Sequence, residues 1–141
     1  MTRPMYESPQ DLRNEADIIS ALEPRMRCVF KKMPIKYGLD YVALRDGTAL
    51  GFVEIKCRTN PMGKYDTYMI SLHKMMTARS LMETTNLPAN LIVRWSDGLV
   101  GKVSFGTDIT VGFNGRYDRN DSEDVEPVAL IPISSFELIP L

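Results

Sequence analysis

Residues 40–56, DYVALRDGTALGFVEIK, decide how this chain folds. Two runs rich in strand formers, Leu39 to Arg45 and Ala49 to Cys57, flank Asp46-Gly47-Thr48, a hairpin turn. Side chains alternate along a strand, so Phe52, Glu54 and Lys56 share one face. If the turn is centred on Gly47, Asp40 stands directly opposite Glu54, with Cβ atoms about 5 Å apart. A strict two-residue Asp46-Gly47 turn instead opposes Asp40 to Val53 and sends Glu54 to the other face. The juxtaposition therefore requires a three-residue turn or a bulge.

Two carboxylates facing each other across a sheet repel. A divalent cation removes that penalty. Hard oxygen ligands on neighbouring strands suit Mg²⁺, which takes one or two protein carboxylates and keeps several waters. Lys56 is then placed to orient or help deprotonate an attacking water, while a metal polarises a scissile phosphate. The competing arrangement is a solvent-facing sheet on which Lys56 pairs with the two acids, a common surface contact of little energetic weight. Helices expected before and after the hairpin cover both sheet faces and argue against it.

Upstream, Ser8-Pro9-Gln10-Asp11 is a helix start: Ser8 caps, Pro9 takes the first position and Asp11 completes a capping box. The spacing predicts a helix to about Glu23, ended by Pro24, with Leu12, Ala16, Ile19 and Leu22 as its buried stripe. Glu15 falls inside that stripe. A carboxylate there must be paired or bound to a metal, so it either joins Asp40 and Glu54 or pairs with a nearby Lys or Arg. Arg27 to Met33 reads as a strand, Arg58 to Thr67 as a loop, and Leu72 to Glu83 as a second helix capped by Ser71. Ala89 to Trp95 and Leu99 to Phe105 are strands joined at Asp97-Gly98, and Val128 to Ile133 and Phe136 to Ile139 are candidate edge strands. This order predicts an α/β fold with a mixed central sheet flanked by helices.

With 141 residues, 44% of them hydrophobic and 25% charged, the chain is read as one globular domain over 1–141. No window approaches the roughly 18 apolar residues of a membrane span, and MTRPMYESPQ lacks a signal sequence, so a cytoplasmic location is expected. Cys28 and Cys57 have no metal-ligand spacing and are read as reduced. His73 is the single histidine, which excludes multi-histidine metal sites, and its place at a helix start makes it a surface residue. A net charge of -1 shows no basic excess, but Asp118 to Glu126 is strongly acidic, so a basic face is compatible with a neutral total. The glycines of GFNGRY, residues 112–117, lack the lysine and strand–helix context of a phosphate loop. Arg58, Lys64 and Lys74, with Tyr65 and Tyr68 among them, suit phosphate contact and base stacking. Lys31, Lys32 and Lys36 form a second, weaker basic region.

A helix bearing Glu15, a strand bearing Asp40, a Glu54-Ile55-Lys56 strand and a helix bearing Lys74 together resemble the PD-(D/E)XK nuclease superfamily. The resemblance runs from about Glu15 to Trp95, with Leu39 standing where the motif often has Pro, and it does not extend beyond Leu99. It implies a restriction-endonuclease-like core with extra C-terminal strands, and Mg²⁺- or Mn²⁺-dependent hydrolysis of DNA phosphodiesters. By that resemblance Asp40, Glu54 and the Ile55 carbonyl bind metal and Lys56 assists the water. Glu15 and Lys74 match the family's first-helix acid and second-helix polar residue. Branched or flapped substrates and a homodimer with two sites are expectations by the same analogy. A non-catalytic nucleic-acid-binding protein on the same fold is the alternative.

Overall fold

A computed structural model describes residues 9–114 and 126–141. Along the chain these form α1 (Pro9–Met26), β1 (Val29–Lys32), β2 (Tyr41–Arg45), β3 (Thr48–Cys57), β4 (Thr67–Ser71) and α2 (Leu72–Thr85). There follow β5 (Ala89–Arg94), β6 (Val100–Ser104), β7 (Thr110–Asn114), β8 (Glu126–Pro132) and β9 (Glu137–Leu138). Six strands make a mixed sheet in the order β1-β2-β3-β5-β6-β9, in which only β3 and β5 run parallel. Their crossover carries β4 and α2, and β4 joins a second, antiparallel sheet, β4-β8-β7.

The β2–β3 hairpin meets the register requirement through a bulge. Arg45 pairs with Thr48 and Leu44 with Ala49, so Asp46-Gly47 is a two-residue turn. Its φ values of 51° and 77° are the positive pair of a type I′ hairpin. Between Leu44 and Ala43 the register shifts, Ala43 pairing with Gly51, and Leu50 is the extra residue. Val42 then opposes Phe52 and Tyr41 opposes Val53. Continued by one residue, that register sets Asp40 against Glu54.

The faces of the large sheet carry different cores. On one, Ile18 and Leu22 of α1 pack against Phe30, Tyr41, Val53 and Ile55. On the other, Phe52, Leu91 and Val93 meet Met75 and Ala78 of α2 together with Tyr68, Ile70 and Ile131 of the second sheet. Glu54, two residues from Phe52, belongs to this second face.

Several boundaries differ from the sequence expectation. α1 continues through Pro24 to Met26, because a proline in the last turn forfeits only one helical bond. Its buried stripe is Glu15, Ile18 and Leu22, while Leu12 and Ala16 are exposed. The segment after Lys64 is not all loop, since Thr67–Ser71 is a strand. Ser71 precedes α2 without a side-chain capping bond, and α2 ends two residues later than expected, at Thr85, capped by Asn86 in the left-handed region. Of the two C-terminal strands, β9 extends the large sheet but β8 builds the smaller one. The Ser8 cap and residues 118–125 of the acidic run lie outside the described residues. Among the described residues no helix is long and apolar enough to cross a membrane.

Candidate active site

Asp40 closes the β1–β2 connection, its carbonyl accepting the Met33 N–H at 2.8 Å. Its Oδ2 accepts the Ile55 N–H at 3.2 Å, which ties the acid to β3 beside Glu54. The approach depends on Gly38, whose φ of 78° is left-handed and where a Cβ would lie 2.5 Å from Thr77 Cγ2 of α2. The Gly38 carbonyl accepts a hydrogen bond from Lys74 Nζ, and the same ammonium stands 2.7 Å from Glu54 Oε2. Glu54 is fully buried, yet neither of its oxygens has a donor in aligned geometry among the described residues. Lys74 therefore meets Glu54 as a charge at contact distance rather than as a directed hydrogen bond.

The two acids titrate apart. Burial, then the Asp40 carboxylate beside it, push Glu54 up to about 8 against the pull of Lys74 and Lys56. For Asp40, burial pushes upward, but the Glu54 side chain, Lys32, Lys56 and the Ile55 N–H bring it below the ordinary carboxylate range. With both acids ionised there is no donor between them; a proton on Glu54 supplies one. Lys56, half-buried on the Glu54 face of β3, acts electrostatically on both acids.

Glu15 is buried on the opposite face of the sheet. Its Oε2 accepts the Tyr41 hydroxyl at 2.7 Å and Lys32 Nζ at 3.1 Å, and Lys32 Nζ also stands 3.7 Å from Asp40 Oδ1. The expected link from Glu15 to the site thus runs through a lysine instead of a shared ligand position. Lys32 and Tyr41 were not singled out from the sequence as site residues. The signal was there for Lys32: Cys28 and Phe30 alternate into the core, and the next residue of that alternation is this lysine.

A family model described as "Phage putative PDDEXK endonuclease" matches residues 1–139. The chain belongs to this family. No curated protein matches the sequence significantly. Among solved structures the fold is similar to Archaeoglobus fulgidus Hjc, a Holliday junction resolvase from an archaeal hyperthermophile. The TM-score is 0.62 and the identity 14%, over 92% of each chain. At that identity the likeness speaks for the fold, which is that of the PDDEXK nucleases anticipated from Asp40, Glu54 and Lys56.

The residues of this PDDEXK endonuclease fit a hard divalent ion. Two adjacent carboxylates, one with buried oxygens lacking aligned donors, are the donor set that Mg²⁺-type ions take while keeping waters. Glu15 is held by Tyr41 and Lys32 on the other face, and the described residues contain no group of three or more His, Cys, Asp or Glu able to hold a metal. Ile55 spends its N–H on Asp40 and lines, with Glu15 and Lys56, a cleft of about 790 Å³.

Of the residues expected to meet nucleic acid, Lys64 is exposed beside Tyr65, 5.4 Å from its ring centre. Arg58 lies over Tyr68, 4.5 Å from the ring centre. Tyr68 itself cannot stack a base: it is 4% exposed, with Arg58 over its ring and Phe136 edge-on at 5.8 Å. Lys74 points inward, so it meets a phosphate only at the acids themselves. Of the second basic region, Lys31 and Lys36 are exposed while the Lys32 ammonium is drawn to Glu15 and Asp40. His73 is exposed, as expected.

Proposed function

We propose that this PDDEXK endonuclease cuts DNA with Mg²⁺ or Mn²⁺ held by Asp40 and Glu54, and that it prefers branched or flapped substrates. The observation that carries this reading is the buried Glu54 pressed against Asp40, with its oxygens short of donors and Lys56 beside them. When bound, the metal supplies Lewis-acid polarisation of the phosphate and stabilises the departing oxygen. Asp40 is held for that role by the Ile55 N–H and by Lys32, which Glu15 and Tyr41 anchor in turn. Lys56 Nζ, next along the same strand face, orients the attacking water. Arg58 and Lys64, beyond the end of β3, contact flanking phosphates. The likeness to a Holliday junction resolvase supports the branched-substrate preference, and a homodimer would present two such sites to one junction.

The test is cleavage of linear, single-stranded, flapped and four-way DNA in Mn²⁺ by wild type and Glu54→Ala, with the assembly state read by sedimentation. Metal-dependent cutting, lost in the variant and strongest on branched DNA, is expected. Cutting that survives Glu54→Ala sinks the site assignment, and equal rates on all substrates sink the preference.

A further inference from the structure

Lys56 borders a second cleft, of about 630 Å³, between the end of β3 and the small sheet. Building on the DNA nuclease reading above, we propose that this cleft takes one nucleotide of the substrate strand, turned out of its stack beside the scissile phosphate. The volume lies within the range of roughly 300–1,000 Å³ typical of preformed ligand pockets. Its lining among the described residues is divided by chemistry. Lys56 and Arg58 bring to it cations suited to a phosphodiester, and Lys74, which also holds Glu54, borders it too. Met62, Tyr65 and Ile133 add flat or adaptable apolar groups suited to a base and sugar. Glu126 also lines the cleft, and its negative charge disfavours a phosphate there. The lining thus suits an occupant with a phosphate for Lys56 and Arg58 and a base for Tyr65.

Tyr68 is the independent observation. It lines this cleft at 4% exposure, and its buried hydroxyl has no hydrogen-bond partner among the described residues. A buried hydroxyl left unpaired is destabilising, so its persistence points to an acceptor that arrives from outside. Arg58 over its ring and Phe136 against its side fix the hydroxyl in place. Phosphate oxygens and base carbonyls are both acceptors of the required kind. A base held within a duplex presents only its edge, so a recessed cleft is filled only by a nucleotide that has left the stack. Leaving the stack is least unfavourable where the nucleotide is already unpaired, which converts the cleft into a selector for flaps, bulges and branch points.

Trp95 is the single tryptophan and lines the cleft, so its emission reports occupancy. The experiment titrates the full chain in Ca²⁺ with a thymidine tetranucleotide and, separately, with a blunt hairpin duplex, following Trp95 emission together with anisotropy of labelled DNA. The tetranucleotide is expected to change the emission saturably; the duplex is expected to bind without doing so. Tyr68→Phe, which removes only the hydroxyl, and Tyr65→Ala, at an exposed position, should each weaken the tetranucleotide about tenfold, with duplex binding changed by less than about twofold. The proposal is overturned if the tetranucleotide fails to bind, binds without moving Trp95, or binds both variants as it does wild type. It is equally overturned if the duplex moves Trp95 to the same extent. Cleavage by the same wild-type preparation is scored separately: cutting without a Trp95 response removes the pocket alone, while a Trp95 response without cutting removes the nuclease reading alone.

Discussion

The two faces of the large sheet each bury one glutamate, and they treat it in opposite ways. Glu15, on the α1 side, accepts a hydroxyl at 2.7 Å and an ammonium at 3.1 Å. Glu54, on the α2 side, is buried more completely, faces another carboxylate and has a single lysine at 2.7 Å without aligned hydrogen bonds. Buried polar groups are normally satisfied because an unsatisfied one opposes folding. The α1 side obeys that rule and uses its acid to hold Lys32 and, through it, Asp40. The α2 side breaks the rule at the place where a hard cation would restore it. On the function proposed above, the contrast separates an acid that builds the site from one that works in it.

Cleavage separates the two glutamates most directly. Glu54→Ala should lower metal-dependent nicking of plasmid DNA by about three orders of magnitude, roughly 4 kcal/mol of transition-state stabilisation. Glu15→Gln should lower it far less, because Tyr41 and Lys32 keep an oxygen acceptor. Equal losses in the two variants would erase the distinction.

Metal-free stability should show the opposite sign for the two sites. Glu54→Gln removes an ionisable group from beside Asp40 and should raise the urea midpoint at alkaline pH, whereas Glu15→Gln weakens two charge-assisted bonds and should lower stability by about 1–3 kcal/mol. The pH dependence follows from the upward shift of Glu54. Folded Glu54 keeps its proton to about 8 while the unfolded side chain releases it near 4.5, so the stability it contributes is complete below that lower value and lost as pH rises to the higher one. Asp40 is shifted down, so its contribution is present above the ordinary aspartate value and lost only at lower pH. Urea denaturation in chelator should therefore show a decline between pH 4.5 and about 8 that is absent from Glu54→Gln.

Lys74→Met tests the counter-charge. It should destabilise the metal-free protein by about 1–2 kcal/mol at pH 8 or above in urea denaturation, less than a fully buried pair because the Lys74 side chain is 29% exposed. Tyr41→Phe is expected to have the smallest effect, about 1 kcal/mol by the same measurement, since Lys32 still serves Glu15.

The central hairpin was legible because its signals are local. Asp46-Gly47 fixes the turn chemistry, alternation fixes the face of Glu54 and Lys56, and the required offset could be stated in advance. Leu50 could not be identified as the bulge, since nothing in its side chain distinguishes it from Ala49. The helical spacing of apolar residues assigns Leu12 and Ala16 to the α1 core stripe; the helix instead centres its buried face near Glu15, whose partners Tyr41 and Lys32 come from distant strands. Strand β4 was hidden between an irregular loop and a helix cap. Had the alternation of Tyr68 and Ile70 been read as a strand, it would have shown Tyr68 as buried rather than as a platform for bases. Lys74 is readable as a residue of the second helix, but its contact with Gly38 and Glu54 depends on how α2 settles on the sheet, which is a property of packing.

Leu50 also gives the hairpin something like a reading frame. From the turn outward the chain is read two residues at a time, and the extra residue corrects the frame so that both acids are decoded onto the same side. One residue added or removed between Asp40 and Glu54 would leave a foldable ribbon with the message shifted, its acids facing opposite layers. Two residues changed together would restore the frame. Length variation among related hairpins should accordingly come in even steps, or in odd steps that bring a second bulge with them.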